Sequence, residues 1–313
     1  VHAAGMDGAD RECYPPAPRG DRPSMSSTVI ISVLIDATLL TLTLALASLG
    51  LAVIFGLIGV INMGHGAMLT LGAYLVWAAM GAGIPFLLSV LLAATGVAVV
   101  GLGLEHFVVR YFYDKPFDTL LITWGFYLIA TEIIKLVFGT NFLNVPNPLP
   151  EAFDLGAQRV PAYRTVLAMF TLALLFGLAF VYFRTHLGIK IRALTQNQEM
   201  ASLLGLNIGA TYKLVFVGGS FLAGLAGALI APMFSVHPYM GMDFLIRNFF
   251  VVIVGGIGQI LGGTLVGSLL IGGAETFFAL FSTQTFAQTV VFALAIIVLR
   301  LRPEGVLTPR YRP

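Results

Sequence analysis

Charge is what this sequence has least of. Only 10% of its 313 residues are Asp, Glu, Lys or Arg, against about 25% in typical soluble domains. With 58% hydrophobic residues, an ordinary water-soluble globule is excluded. The net charge is +2, and the basic residues cluster at loop ends and not on one surface, which excludes a nucleic-acid footprint. Cys13 is the single cysteine, so no internal disulfide can form. There are four lysines, Lys115, Lys135, Lys190 and Lys213, and none follows the glycine loop that cradles nucleotide phosphates, so no ATP site of that kind is present. The apolar runs contain no nucleophile–base or metal-ligand spacing. No cofactor, metal or catalytic residue is therefore expected.

What is there is a series of hydrophobic runs long enough to cross a bilayer. The longest charged connection between two of them is Arg184 to Lys213, RTHLGIKIRALTQNQEMASLLGLNIGATYK. Arg184, Lys190, Arg192 and Lys213 face a single acid, Glu199. This positive excess in a short loop marks the cytoplasmic side. Inside the loop the pattern predicts a short helix. Asn197 is its N-cap, and Glu199 lies in the first turn, where the helix dipole favours an acid. Met200, Leu203 and Leu204 form one narrow apolar face, and Gly205 is the left-handed terminator. Two turns, about 11 Å, do not stand alone in water. The helix lies either on the membrane surface and its own helix ends or on a cytoplasmic partner.

The order Glu199-Met200-Ala201-Ser202-Leu203-Leu204-Gly205 resembles the Glu-Ala-Ala-x-x-x-Gly coupling motif of ABC importer permeases. Glu199, Ala201 and Gly205 match in type and spacing, while Met200 replaces the first alanine. The longer run RALTQNQEMASLLGLN is similar to the membrane subunits of branched-chain amino-acid and urea importers. So are GLAVIFGLIGVINMGHGAMLTLGAY, VVIVGGIGQILGGTLVGSLLIG and the ending RPEGVL, from about Leu40 to Leu307. The resemblance implies a loop that docks on cytoplasmic ATPase subunits through Arg192, Glu199, Met200, Ala201, Leu203, Leu204 and Gly205. It also implies a second permease subunit, identical or paralogous, and a soluble periplasmic binding protein. The carried solutes would be branched-chain amino acids, urea or short amides.

The expected fold class is all-α, a polytopic transmembrane helical bundle of about 8–10 spans with two glycine-broken segments. Residues 1–27 read as a disordered segment, with Met25 as an alternative start. Residues 28–307 read as a transmembrane permease domain that contains the cytoplasmic coupling loop 184–213, and residues 308–313 as a cytoplasmic tail. The first span is placed at Val29 to Leu49, with Asp36 at the interface. A second apolar stretch, Leu51 to Met80, is broken at Asn62-Met63-Gly64-His65-Gly66. Such a break either borders a substrate path or marks a tight helix crossing. Pro85 to Val109 carries Glu105 and His106 as interface residues. Thr119 to Phe138 carries Glu132 and Lys135 as a structural pair. The Pro-rich loop Gly139 to Tyr163 is external, facing a docked binding protein. Further spans run from Arg164 to Phe183 and from Leu214 to Phe234, the latter with a packing face of Gly218, Gly219, Gly224 and Gly227. Three more follow at Phe244 to Ile260, Thr264 to Phe281 and Phe286 to Leu301. The basic tail places the C-terminus inside a bacterial cytoplasmic membrane, and alternation places the N-terminus outside.

IFGLIGVINMG at Ile54–Gly64 aligns without gaps to IVGGIGQILGG at Ile253–Gly263. Two glycine-broken segments, Asn62–Gly66 and Gly255–Gly263, in corresponding halves are a transporter pattern, which makes Asn62, Gly64, His65, Gly66, Gly255, Gly258 and Gln259 candidate path residues. Glu275 joins them as an acid in the eighth span, either facing the path or holding two helices together. An ion-coupled secondary transporter or channel, with Glu275, Glu132 and His65 as relay groups, is the alternative. It leaves the coupling-like loop unexplained.

Overall fold

The computed structural model describes residues 27–113, 115–155, 158–256 and 258–307. The disordered segment and alternative start expected within residues 1–26, and the tail 308–313, lie outside the described residues. Among the described residues eleven α-helices run in chain order: α1 (Ser27–Ile58), α2 (His65–Gly81), α3 (Phe86–Phe107), α4 (Pro116–Phe138), α5 (Ala162–Arg184), α6 (His186–Gln196), α7 (Gln198–Leu203), α8 (Ile208–Ile230), α9 (Met240–Gly255), α10 (Ile260–Ala279) and α11 (Gln284–Leu301). A small antiparallel hairpin, β1 (Ala152–Leu155) with β2 (Gln158–Pro161), occupies the loop between α4 and α5. The fold is an all-α polytopic bundle.

Seven helices are long and apolar enough to span a membrane. The shorter α2 and α9, with 17 and 16 residues, adjoin the two breaks and complete the bundle. Proline starts several helices where its missing N–H costs nothing. Pro116 is the first residue of α4, and Pro85 and Pro161 immediately precede α3 and α5.

The sequence reading divided the first sixty residues differently. Val29 to Leu49 and Leu51 to Ile58 are one continuous helix, α1, of 32 residues, roughly 48 Å at 1.5 Å per residue. Gly50 does not separate two spans. It lets backbones approach, because a Cβ there would collide with the Gly219 carbonyl. α1 and α8 are the most enclosed spans. α1 packs on α8, α9 and α10, and α8 on α2 and α3. A Cβ at Gly227 would overlap the Leu69 carbonyl, and one at Gly72 the Gly224 carbonyl. In lipid, where apolar burial drives little association, such close approach is what holds helices together. Gly218, expected on the same packing face, meets nothing within 4 Å. Outside this centre, α4, α5 and α11 expose large apolar residues such as Leu121, Leu136, Phe176 and Ile296, the surface that faces membrane lipid.

Candidate translocation site and coupling element

The first break follows Gly59, whose φ of +76° ends α1. Residues 60–64 are non-helical, and α2 starts at His65. Their backbone groups find partners on α4, where the Thr123 hydroxyl accepts from the Met63 N–H at 3.0 Å. Asn62 and His65 are fully buried. The His65 Nε2 lies 2.9 Å from the Ala47 carbonyl of α1 and must donate to it. Asn248 of α9 donates to the same carbonyl at 3.1 Å. That fixes the imidazole tautomer and leaves Nδ1 as an acceptor. His65 Nδ1, both amide atoms of Asn62 and Asn248 Oδ1 have no hydrogen-bond partner among the described residues. Each such atom in a dry interior costs about 1–3 kcal/mol. His65 of α2 and Asn248 of α9 thus share the Ala47 carbonyl as a polar joint with α1. Gly64 and Gly66 serve packing as well: a Cβ at Gly64 would press on Phe126, and one at Gly66 on the Gly241 carbonyl.

The second break is shorter than the sequence suggested. α9 ends at Gly255 and α10 begins at Ile260, so Gly262 and Gly263 are helical. They belong to a close crossing in which Gly255 abuts the Gly263 backbone and Gly267 the Val251 carbonyl. Ile257 lies outside the described residues. Gly258 has a φ of +87°, the counterpart of Gly59 in the aligned repeat. The second break adjoins the last turn of α1, where Gly56, Gly258, Gln259 and Ile260 line one narrow cleft. The irregular segment after α11 covers this end of α9, with Val306 N donating to Val254 O at 2.8 Å and Leu307 N to Gly255 O at 3.2 Å.

Glu275 is buried in the last turns of α10 and not at its middle. Its Oε1 accepts from Gln284 Nε2 at 2.6 Å and from Gln288 Nε2 at 3.4 Å, both on α11. Arg247 of α9 approaches the same oxygen at 3.6 Å. The partner comes from other helices, as an acid without a cation on its own span requires. Two cavities, about 490 and 520 Å³, share Arg247, Gln288 and Phe234 in their walls. They lie among the starts of α1, α5 and α11 and the end of α10. This is the end of the bundle opposite α6 and α7, since α5 runs from these cavities into α6.

The candidate coupling element consists of α6 and α7. Thr185 caps α6, accepting from the Gly188 N–H at 3.3 Å. Arg192 turns back onto α5, donating to the Tyr182 carbonyl and lying 5.3 Å over the Tyr182 ring. It therefore staples α6 to α5. Asn197 caps α7, its side chain accepting from the Met200 N–H at 2.9 Å. Gly205 ends the turn with a φ of +80°, and Leu206 N reaches the Ala201 carbonyl at 3.1 Å. Ala201 is buried, Glu199 is exposed, and Met200, Leu203 and Leu204 are 55, 77 and 78% exposed. The helix presents its apolar face outward, away from the bundle.

Glu105, expected at a hydrated interface, is instead buried. Tyr113 donates to its Oε1 at 3.1 Å, and Lys213, just beyond α7 on α8, stands 3.9 Å from Oε2. Burial first, and then the Glu105 carboxylate, push the Tyr113 phenol well above its ordinary range, so it remains a donor. Glu132 and Lys135 pair at 2.6 Å as expected. Sequence reasoning missed Arg247 and Asn248. Adjacent polar residues inside the apolar run FLIRNFFVV were the available signal, because an intramembrane arginine is a functional hypothesis by default.

A glycine-crossed helical bundle, broken twice and carrying substrate-sized cavities, defines a multi-pass membrane protein of the transport class. Residues 33–299 match the family "Branched-chain amino acid transport system / permease component", and the chain belongs to that family. It is 30% identical to the high-affinity branched-chain amino acid transport system permease protein BraD of Pseudomonas aeruginosa, over 85% of this chain and 91% of that protein. It is 27% identical to LivH of Escherichia coli K12, a permease protein of the same description, over 85% and 91%. The ribose import permease protein RbsC of Haemophilus influenzae is 31% identical over 120 residues, 36% of this chain and 37% of that protein. No solved structure matches the chain at comparable stringency.

Proposed function

We propose that this chain is the permease subunit of an ATP-driven importer. It moves branched-chain amino acids, or a related small polar solute such as urea or a short amide, inward across the bacterial cytoplasmic membrane. The observation that carries this reading is α7: a capped helix of six residues whose apolar face has no cover among the described residues. Residues 184–213 then lie in the cytoplasm on ATPase subunits. A second permease subunit completes the membrane unit, and a soluble periplasmic binding protein delivers solute to the end that carries the hairpin. The chain itself performs no chemistry. The path runs between the two breaks, past Asn62, His65, Gly258 and Gln259, with Gly64, Gly66 and Gly255 allowing the helices to shift.

Uptake of labelled leucine, isoleucine, valine and urea into proteoliposomes tests this. ATP-dependent uptake that needs both the ATPase and the binding protein supports the reading. Uptake by the chain alone, driven by an ion gradient, overturns it in favour of a secondary transporter.

A further inference from the structure

We propose that Arg247 is the residue that grips the carboxylate of an amino-acid solute as it enters the bundle; this rests on the amino-acid reading above. Arg247 lies on the wall shared by the two cavities at the end opposite the coupling element. Its guanidinium carries a fork of five N–H donors that matches a carboxylate. Among the described residues its one ion pair is the 3.6 Å approach to Glu275, longer than a charge-assisted hydrogen bond. The Glu275 oxygen is already held by Gln284 at 2.6 Å. Arg247 is thus charge-balanced without being saturated, and donors remain for a visiting anion.

The surroundings suit the rest of a branched aliphatic amino acid. Phe234, Met240, Phe244 and Phe292 supply apolar wall in one cavity, and Asp243, whose Oδ2 lies 3.5 Å from His237 Nε2, keeps an exposed carboxylate in the same lining to meet an ammonium. Asp36 plays that part in the adjoining cavity. Volumes near 500 Å³ fall within the usual range for small-ligand sites, about 300–1,000 Å³. A neutral solute such as urea has no group that needs the guanidinium, so the site distinguishes solutes by the carboxylate they carry.

The test uses Ser235→Cys, at a cavity-lining position, in a full-length chain that also carries Cys13→Ser, reconstituted in lipid nanodiscs. The rate of modification by a water-soluble thiol reagent is measured with millimolar L-leucine, leucinamide or isoamylamine. L-leucine is expected to slow labelling at least fivefold, and the two carboxylate-free probes less than twofold. Arg247→Gln should abolish the protection and Arg247→Lys should retain part of it. The double variant Arg247→Gln/Glu275→Gln removes both charges, so it leaves no lone buried ion to unfold the bundle, and it too should show no protection by leucine. Leucine protection that persists in the double variant, equal protection by leucinamide, or no protection in the parent each overturns the proposal. Leucine import by the wild-type importer is measured in parallel. Import with any of those three labelling results removes the Arg247 assignment alone, whereas absence of leucine import removes the amino-acid reading itself.

Discussion

The exposed face of α7 allows a quantitative test of coupling. Leu203 and Leu204 are 77 and 78% exposed, so truncating both should leave the fold of the isolated chain almost untouched. If an ATPase subunit covers them, each transfers about three-quarters of its side chain from water. Fully burying a leucine is worth about 1.5–3 kcal/mol, which makes each worth roughly 1.5 kcal/mol here and the pair about 3 kcal/mol. At 1.4 kcal/mol per factor of ten, Leu203→Ala/Leu204→Ala should weaken ATPase binding roughly a hundredfold. Leu203→Asp, which also buries a charge, should weaken it further. Glu199→Arg should uncouple as well by reversing the charge in the first turn, where the helix dipole favours an acid. The assay is titration of the purified ATPase onto the permease in nanodiscs, with thermal unfolding of the permease alone as control. Wild-type affinity in the double alanine variant, with the melting temperature unchanged, would refute docking on this face. A lowered melting temperature in the isolated chain would place the two leucines in its own packing.

Three further outcomes are expected. Gly227→Val forces a side chain into the Leu69 carbonyl and should cost at least the 1–3 kcal/mol typical of overpacking, seen as loss of folded protein in membranes; Gly125→Ala, with open space around it, should express normally. In a Cys13-free chain, cysteine at half-buried Gln259 should react with a water-soluble thiol reagent faster than cysteine at fully buried Asn62, and reaction at Asn62 should depend on the transport state; labelling of both as slow as at lipid-facing Leu136 would remove the breaks from the path. Tyr113→Phe deletes the phenol that donates to the buried Glu105 carboxylate and should destabilise the chain by about 1.5 kcal/mol, the low end for hydrogen bonds to charged groups, read as a lower melting temperature in detergent; an unchanged melting temperature would show that Lys213 and water suffice.

What was legible in the sequence is what local chemistry decides. The Asn197 cap and the Gly205 terminator of α7 depend on a few neighbouring residues, and both lie where the pattern placed them. The Glu132–Lys135 pair is equally local. Glycines were harder to read, because one residue type serves two purposes. At Gly59 and Gly256 it takes a positive φ and ends a helix, whereas at Gly50 and Gly263 it thins a helix for close contact. An apolar run does not distinguish these, so α1 was cut in two and the second break drawn too long. Contacts between distant helices lay beyond any local pattern. Glu275 meets Arg247, and Glu105 meets Lys213, only because α9 with α10 and α3 with α8 pack in one particular register.

The segment after α11 that covers the end of α9 bears on how the protein is made. Val254 and Gly255 carbonyls at the second break are capped by the N–H groups of Val306 and Leu307. A ribosome reaches those two residues only after α10 and α11 have been synthesised. Until then the nascent chain holds a helix end with open acceptors in or near lipid, where unsatisfied backbone is costly. The second half of the bundle therefore closes only after α10 and α11 are made, while α1, α2, α3 and α8 can assemble earlier. Truncations before Val306 should accumulate as inserted but unlocked chains, the kind of species that membrane quality-control proteases remove.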